Sequence, residues 1–423
     1  MGLYLGGMNI YFSGIGGVGV GPLAELAHDA GYTVQGSDMT DSLVTHELRE
    51  RGIDVHIGQD GTYLQACQAT TPIDWFVYTA ALPVDHAELV AARQLGIKTA
   101  KRDELLAHII ADKNLKLIAI AGTHGKTTTT GMMVWAFREL GIPVSYSVGT
   151  TLAFGPSGKY DPASEYFIYE CDEFDRNFLH FSPYLSLITA LDYDHSDTYK
   201  TPDDYLQAFR QFALQSEQVL GWKDQHGELF EDLAHVSLFA SDEVNQHITL
   251  PGAHNRRNAT LVETALKRLG FTESTDAILM NFPGTNRRFE KLADNLYSDY
   301  GHHPVEIAAT LQLARELSDH VVLVYQPHQN IRQHEIKEQY TDQFEKAETI
   351  FWLPTYLSRE DPTLPVLRPE DLTQRITNKG AVHVADLNDD LWKNIQQALS
   401  EGKLVLGMGA GTIDNWLREK VAR

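Results

Sequence analysis

The chain has 423 residues, which exceeds one compact core and predicts about two to four domains. Its 43% hydrophobic and 10% aromatic content is that of a globular protein, and no apolar run reaches the ~18 residues that cross a bilayer. A formal net charge of -22 excludes a broad nucleic-acid-binding surface, which gathers Lys and Arg into basic patches, so any phosphate ligand must be held locally.

Met1 to Met8 lack both a basic n-region and a long apolar h-region, so the expectation is a short ragged start, no signal peptide, no membrane partner and a cytoplasmic location. A strand is predicted over Asn9 to Ser13, running into Gly14-Ile15-Gly16-Gly17-Val18-Gly19, then a helix from about Pro22 to Ala30 and a second strand ending at Ser37-Asp38. Gly14, Gly16 and Gly19 fit the G-x-G-x-x-G dinucleotide fingerprint, with Asp38 where an acidic residue meets a ribose hydroxyl. Taken alone this spells NAD. The physical content is narrower, a pyrophosphate approaching backbone at a helix N-terminus, which serves a UDP-sugar equally and is also compatible with a plain tight turn. Cys67 and the later Cys171 have no metal-ligand spacing and read as structural. Further strands are expected at Trp75 to Thr79 and Lys98 to Ala100. The polar segment Ala111 to Asn114 marks a boundary, giving a first domain of residues 1–112.

The strand Leu115 to Ala121 then meets a helix through Gly122-Thr123-His124-Gly125-Lys126-Thr127-Thr128, a turn rich in glycine and hydroxyls. Backbone N–H groups of such a turn converge on phosphate oxygens, Lys126 reaches the outer phosphates, and Thr127 is placed to ligate magnesium. The general P-loop has a glycine five residues before Gly125. Ile120 stands there, so this is a shorter variant. The strand Tyr166 to Glu170 ends in Glu170-Cys171-Asp172-Glu173-Phe174-Asp175, and the strand Leu185 to Leu191 ends in Asp192-Tyr193-Asp194-His195-Ser196-Asp197. The carboxyl ends of such strands face a phosphate loop, so Glu170 and His195 are candidate metal ligands, against the alternative of solvated loop residues. Carboxylates on both sides of Cys171 raise its pKa and disfavour it as a nucleophile.

Leu250-Pro251-Gly252-Ala253-His254-Asn255-Arg256-Arg257-Asn258 leads into a helix expected over Asn258 to Leu269; its amides suit a purine edge, while Asn255 and Asn258 also suit helix caps. Arg287 and Arg288 form a basic pair that meets phosphate or solvent. The central domain is expected over residues 113–289 and a third over 290–423. The third has strands at Asn295 to Tyr300, Val321 to Tyr325 and Thr349 to Leu353, a helix at Pro304 to Leu317, and a strand-turn-helix at Leu404 to Leu417. Its Gly407 to Thr412 turn reads as a second phosphate-like loop or a plain turn.

In their order along essentially the whole chain, these motifs resemble the Mur ligase family of cell-wall enzymes. The resemblance rests on Gly14 to Gly19, Gly122 to Thr129, Glu170 to Asp175, Asp194 to Tyr199, Leu250 to Asn258, Gly284 to Arg288, Asp299-Tyr300-Gly301-His302-His303-Pro304 and Gln326-Pro327-His328. It implies an α/β fold of three domains: a Rossmann-like N-terminal domain, a central P-loop-type ATPase domain with a mainly parallel sheet, and a Rossmann-like C-terminal domain. It also implies, in the branch most similar to this chain, an amide-forming reaction in which ATP and Mg2+ activate the carboxylate of UDP-N-acetylmuramate for attack by L-alanine, in peptidoglycan precursor synthesis.

By the same resemblance, Gly14, Ile15, Gly16, Gly17, Val18, Gly19 and Asp38 bind the UDP substrate. Gly122, Thr123, His124, Gly125, Lys126, Thr127, Thr128, Asn255, Asn258, Arg288 and Asp299 bind ATP, with Thr127, Glu170 and His195 on the metal. Lys126, Glu170, His195, His302 and Arg332 form the catalytic set, with Tyr300 beside it. No nucleic acid and no obligate protein partner is expected. The chain departs from the pattern at Gln329, where the branch has an arginine after Gln-Pro-His, at Ser298, where an acidic residue precedes Asp299, and in the short interval from Asp197 to Leu250. A recycling ligase that attaches a ready-made tripeptide is the related alternative. An NAD-dependent oxidoreductase, supported by the first glycine loop and Asp38 alone, and a regulatory P-loop NTPase are the alternatives from other classes.

Overall fold

The structure, a computed structural model, describes residues 7–17, 19–79, 82–195, 198–271, 275–358 and 360–422. Val18, Ser196 and Asp197, which belong to motifs above, lie outside the described residues. Among the described residues the strands assemble into three sheets.

In the first sheet, β1 (Asn9–Ser13), β2 (Thr33–Asp38), β3 (Asp54–Ile57), β4 (Trp75–Tyr78) and β5 (Lys98–Lys101) pair in the order β3-β2-β1-β4-β5, all parallel. The central β1 is buried along its whole length, as a parallel strand covered on both faces must be. The order reverses beside β1, so Gly14 to Gly19 leave the sheet at its switch point, where such sheets bind ligands.

The second sheet contains β6 (Lys116–Ala121), β7 (Ser145–Ser147), β8 (Gly158–Lys159), β9 (Tyr166–Glu170), β10 (Leu185–Ile188), β11 (Val219–Trp222) and β12 (Val236–Phe239). Its order is β12-β11-β10-β6-β9-β7-β8, parallel except for the β7-β8 pair. The strand expected to run to Leu191 ends at Ile188. Thr189 turns out of the sheet because its hydroxyl donates to the His124 carbonyl at 2.5 Å, while the Ala190 carbonyl accepts the Thr123 amide at 2.7 Å. Sheets one and two fall in one compact unit, Met1–Glu243 with Leu261–Ile278. A single core joins Ile10, Phe12, Leu23 and Leu26 to Leu117, Phe167, Phe178 and Phe209.

The other unit is Val244–Thr260 with Leu279–Arg423. Its sheet takes β13 (Glu290–Ala293), β14 (Leu296–Asp299), β15 (Val321–Tyr325), β16 (Thr349–Trp352), β17 (Val382–Val384) and β18 (Leu404–Met408) in the order β13-β14-β18-β15-β16-β17, with the β13-β14 pair antiparallel. One face packs Leu311, Tyr325, Tyr340 and Trp352, the other Val324, Ile395, Val405 and Leu417. The helix expected from Asn258 begins at Ala253, so Asn255 and Asn258 sit inside it and are not its caps. Tertiary partners start it early: the Gly252 amide donates to Glu316 at 2.9 Å and the Ala253 amide to Gln312 at 3.0 Å. No helix among the described residues is long and apolar enough to cross a membrane.

Candidate functional site

The turn after β6 is built for close approach. A β-carbon at Gly122 would meet the Thr189 hydroxyl at 2.4 Å, and Gly125 has φ +85°, so both positions require glycine. The helix Lys126–Glu139 starts directly after it, which turns that helix's first amides toward the loop. Thr123 is pinned by a 2.8 Å bond to the Asp192 carbonyl and a 2.6 Å contact with the Tyr205 hydroxyl.

Two polar clusters then meet at the carboxyl ends of β6, β9 and β10. In the first, the Thr127 hydroxyl donates to Glu170 at 2.7 Å, and the Gly149 amide donates to the other Glu170 oxygen at 2.8 Å. In the second, Lys126 donates to Glu173 at 2.7 Å and to the Gly122 carbonyl at 2.5 Å, while His195 Nε2 lies 3.6 Å from the far oxygen of Glu173. Glu173 was hidden within the acidic run, and its place was not readable from spacing. Asp175 and Arg176 have φ of +53° and +56°, a left-handed kink just after Glu173, and it is Glu173, not Glu170, that pairs with Lys126. His195 is also left-handed, with φ +58°.

Burial pulls the Lys126 ammonium toward neutrality, but Glu173, Asp172 and Glu170 outweigh it and hold the pKa above the ordinary lysine value. Burial pushes Glu173 up, and Lys126 and His195 more than reverse that. Burial likewise lowers His195, and Glu173 and Asp194 bring it net above an ordinary histidine. Asp172 is raised by burial and by Glu173. One donor atom each from Asp172, Glu173 and His195 lie within 4.8 Å of one another, a set of two carboxylates and an imidazole that fits a divalent cation. Thr127 with Glu170 offers a second set of oxygen donors. Cys171 is fully buried, and burial first, then Asp103 and Asp172, push its thiol well up, so it is inert.

The first glycine loop is closed by its own bonds. The Gly14 and Ile15 amides donate to the Ser37 carbonyl, both at 2.9 Å, and the Gly17 amide to the Gly14 carbonyl at 3.0 Å. Asp38 accepts the Gly16 amide at 2.8 Å, which ties it to the loop.

In the other unit, Asp299 is buried and accepts the Gly301 amide at 2.7 Å and the Phe289 amide at 2.8 Å, joining the loop after β14 to the segment that carries Arg288. Arg287 and Arg288 lie over the Tyr300 ring at 4.7 and 5.3 Å. Burial lowers His302 to about 4, leaving it neutral; Arg332 donates to its Nε2 at 2.7 Å and Nδ1 faces the Tyr300 carbonyl at 3.2 Å. Glu306, which the sequence did not mark, accepts the His302 amide at 3.1 Å. The Asn255 Nδ2 donates to the Pro251 carbonyl at 3.0 Å, whereas the Asn258 Nδ2 is buried with no partner among the described residues. Gly407 to Thr412 is a packed turn: a β-carbon at Gly411 would sit 2.5 Å from Gln326 and 2.7 Å from Tyr356.

Comparison with known proteins covers the chain domain by domain. Three family profiles cover the chain in order: "Mur ligase family, catalytic domain" over residues 9–114, "Mur ligase middle domain" over 120–226, and "Mur ligase, glutamate ligase domain" over 287–411. A UDP-N-acetylmuramate–L-alanine ligase of Carboxydothermus hydrogenoformans is 31% identical across 96% of this chain and 94% of its own length. The chain belongs to the Mur ligase family. Another relative of this Mur ligase with the same description, from Rhizobium meliloti, is 32% identical over 96% of the chain and 95% of its own. Among solved structures, UDP-N-acetylmuramate-alanine ligase MurC of Thermotoga maritima superposes with a TM-score of 0.74 at 23% identity, covering 98% of this chain and 99% of that one. A murein peptide ligase of Psychrobacter arcticus gives 0.64 at 22% identity, covering 98% of both. These two likenesses establish that the Mur ligase fold extends through the whole chain.

Proposed function

We propose that this Mur ligase joins the amine of L-alanine to the carboxylate of UDP-N-acetylmuramate at the expense of ATP, a step of peptidoglycan precursor synthesis. The observation that carries the reading is the Gly122-to-Thr127 cradle, with Lys126, Glu170, Glu173 and His195 gathered at neighbouring strand ends. The names of the full-length relatives support the choice of substrates. In this reading residues 1–112 bind the UDP moiety through Gly14 to Gly19 and Asp38, residues 113–289 bind ATP, and residues 290–423 bind the amino acid.

A muramoyl carboxylate oxygen attacks the γ-phosphorus of ATP, the bond to the β,γ-bridging oxygen breaks, and ADP leaves. The neutral amine of alanine then adds to the acyl carbon, the bond from carbon to phosphate oxygen breaks, phosphate departs with the electron pair, and the nitrogen sheds its extra proton. Lys126 exchanges Glu173 for the transferring phosphoryl group, and the loop amides of residues 123–128 hold the phosphate chain. Thr127 with Glu170, and His195 with Asp172 and Glu173, would hold magnesium, which supplies charge neutralisation on the phosphoryl oxygens. In the other unit, Asn255, Asn258, Arg288 and Asp299 are taken as nucleotide contacts. Arg332 is taken as the carboxylate partner of alanine, kept in orientation by a neutral His302 that accepts its proton donor.

The test is phosphate release from ATP with UDP-N-acetylmuramate, screened across alanine, serine, glycine and the recycled tripeptide, with mass detection of product. Alanine-dependent phosphate release with an alanyl product is expected. Product from the tripeptide alone moves the assignment to the recycling ligase, and tight NADH binding without ATP dependence removes the ligase assignment.

A further inference from the structure

The first glycine loop spends four of its amides inside the protein, Gly14 and Ile15 on Ser37, Gly17 on Gly14 and Gly16 on Asp38. A pyrophosphate docking there needs a donor from elsewhere, the more so in a chain of net charge -22. A guanidinium stands at the loop. Arg102 opens the helix Arg102–Asp112 after β5, and a β-carbon built on Gly19 would sit 3.3 Å from its Nη1. Its Nη2 is held from behind, donating to the Tyr169 hydroxyl at 3.2 Å and to the two Asp103 oxygens at 3.3 and 3.4 Å. Tyr169 in turn donates to Asp103, and both are buried, 3% and 2% exposed, whereas the Arg102 side chain keeps 35% of its surface.

We propose that Arg102 is a pyrophosphate ligand for the UDP-sugar, presented to the glycine loop by a buried Asp103–Tyr169 clamp. The inference rests on the reading of Gly14 to Gly19 as the UDP loop. A fixed, half-solvated guanidinium loses little freedom on binding, and its planar fork matches two phosphate oxygens in a way an ammonium does not. Gly19 has a function in the same picture, since any side chain there would stand between loop and cation. The clamp also gives the buried Tyr169 hydroxyl its partners. It is the positioning residue, and on β9 it directly precedes Glu170, the partner of Thr127.

The test is calorimetric titration of the full-length protein with UDP and UMP, together with KM for UDP-N-acetylmuramate and for ATP. Arg102→Gln is expected to weaken UDP about tenfold or more, with a smaller loss for UMP and an unchanged KM for ATP. Tyr169→Phe should raise KM for the UDP-sugar several-fold without changing kcat, because it loosens the guanidinium and touches no reacting atom. Should Arg102→Gln unfold, Arg102→Lys carries the test, keeping charge and stem but not the fork, with about fivefold weaker UDP expected. Gly17→Asp, which puts a carboxylate in the loop, separates the two levels of the argument. If it abolishes UDP binding while a folded Arg102 variant binds UDP like the wild type, the role of Arg102 is overturned; if it too binds UDP normally, the loop reading itself fails.

Discussion

The Lys126–Glu173 pair yields a quantitative prediction. Glu173 is 1% exposed and the Lys126 side chain 15%, so each charge has given up most of its water and depends on its partner. Removing one member of such a pair costs about 3–5 kcal/mol, whereas removing both relieves the desolvation as well and costs far less. Here Glu173→Gln leaves Lys126 among Asp172 and Glu170, and a cost of about 3 kcal/mol is expected. Lys126→Met leaves Glu173 with His195 at 3.6 Å as a residual partner, which lowers the cost to about 2–3 kcal/mol. The double variant should lose only about 1 kcal/mol, giving a coupling of about 4–5 kcal/mol. A chain of several domains does not unfold in one step, so the measurement is native-state hydrogen exchange of the helix Lys126–Glu139 and of the segment after β9. Additive single costs would refute the argument that the two charges depend on one another. The same variants separate stability from chemistry: Lys126→Met abolishes product formation but not UDP-N-acetylmuramate binding, and the double variant regains stability without turnover.

Glu170→Ala should lose activity that excess magnesium partly restores, and Thr127→Val, which deletes the hydroxyl on Glu170, should raise the magnesium needed for half-maximal rate; an unchanged magnesium dependence in both counts against this oxygen pair as metal ligands. Acid should destabilise the unit containing Glu316 in two stages. Burial holds His254 and His302 at about 4 against the ordinary 6.5, so the unfolded chain binds their protons first and stability falls as pH drops from 6.5 toward 4. Glu316, whose hydrogen bonds from Arg256 hold it at about 2 against 4.5, stabilises above pH 4.5 and loses that contribution as pH falls toward 2. The full drop corresponds to about 3 kcal/mol, which solvent screening of a side chain 29% exposed reduces to about 1–2 kcal/mol. Glu316→Gln should therefore lower the melting temperature at pH 7 and flatten the limb below pH 4.5, and a melting curve that keeps the wild-type acid limb would exclude Glu316 as its source.

Elements fully buried within parallel sheets were legible in the sequence because nothing but an apolar run bounded by turn residues fits there. The strand Asn9–Ser13, the strand Val321–Tyr325 and the Pro304-initiated helix fall where the pattern puts them. Short edge elements such as β8, two residues long, and Val382–Val384, with its exposed valine, carry no such pattern. Long-range partners set other boundaries: Thr189 leaves its sheet to bind the phosphate loop, and Ala253 starts a helix because Glu316 and Gln312 supply its acceptors. The site divides in the same way. Motif position singled out Lys126, Thr127, Glu170 and His195, and the family resemblance added His302 and Arg332, but no local propensity announces that Lys126 pairs with Glu173, just before a left-handed kink.

Gln329 combines an unusual residue with an unusual backbone. Its φ of +57° and ψ of 120° lie outside the regions an L residue prefers, a strain on the order of 1–3 kcal/mol. The surroundings hold it there: its amide donates to the Tyr356 carbonyl at 2.8 Å, and the His328 ring stacks on Tyr356 at 5.6 Å. The next two amides, of Asn330 and Ile331, are both taken by the Glu360 carboxylate at 3.0 and 3.2 Å. A neutral side chain thus stands where the resemblance calls for a fixed positive charge, beside a carboxylate, and Arg332 remains as the cation paired with His302. If the carboxylate of the incoming amino acid is held by Arg332, Gln329→Arg should lower KM for L-alanine several-fold and leave kcat and the KM for ATP unchanged. Gln329→Gly should relieve the backbone strain and raise the melting temperature without that gain. A Gln329→Arg enzyme whose KM for alanine is unaltered, in a protein that melts normally, would show that position 329 does not face the amino acid.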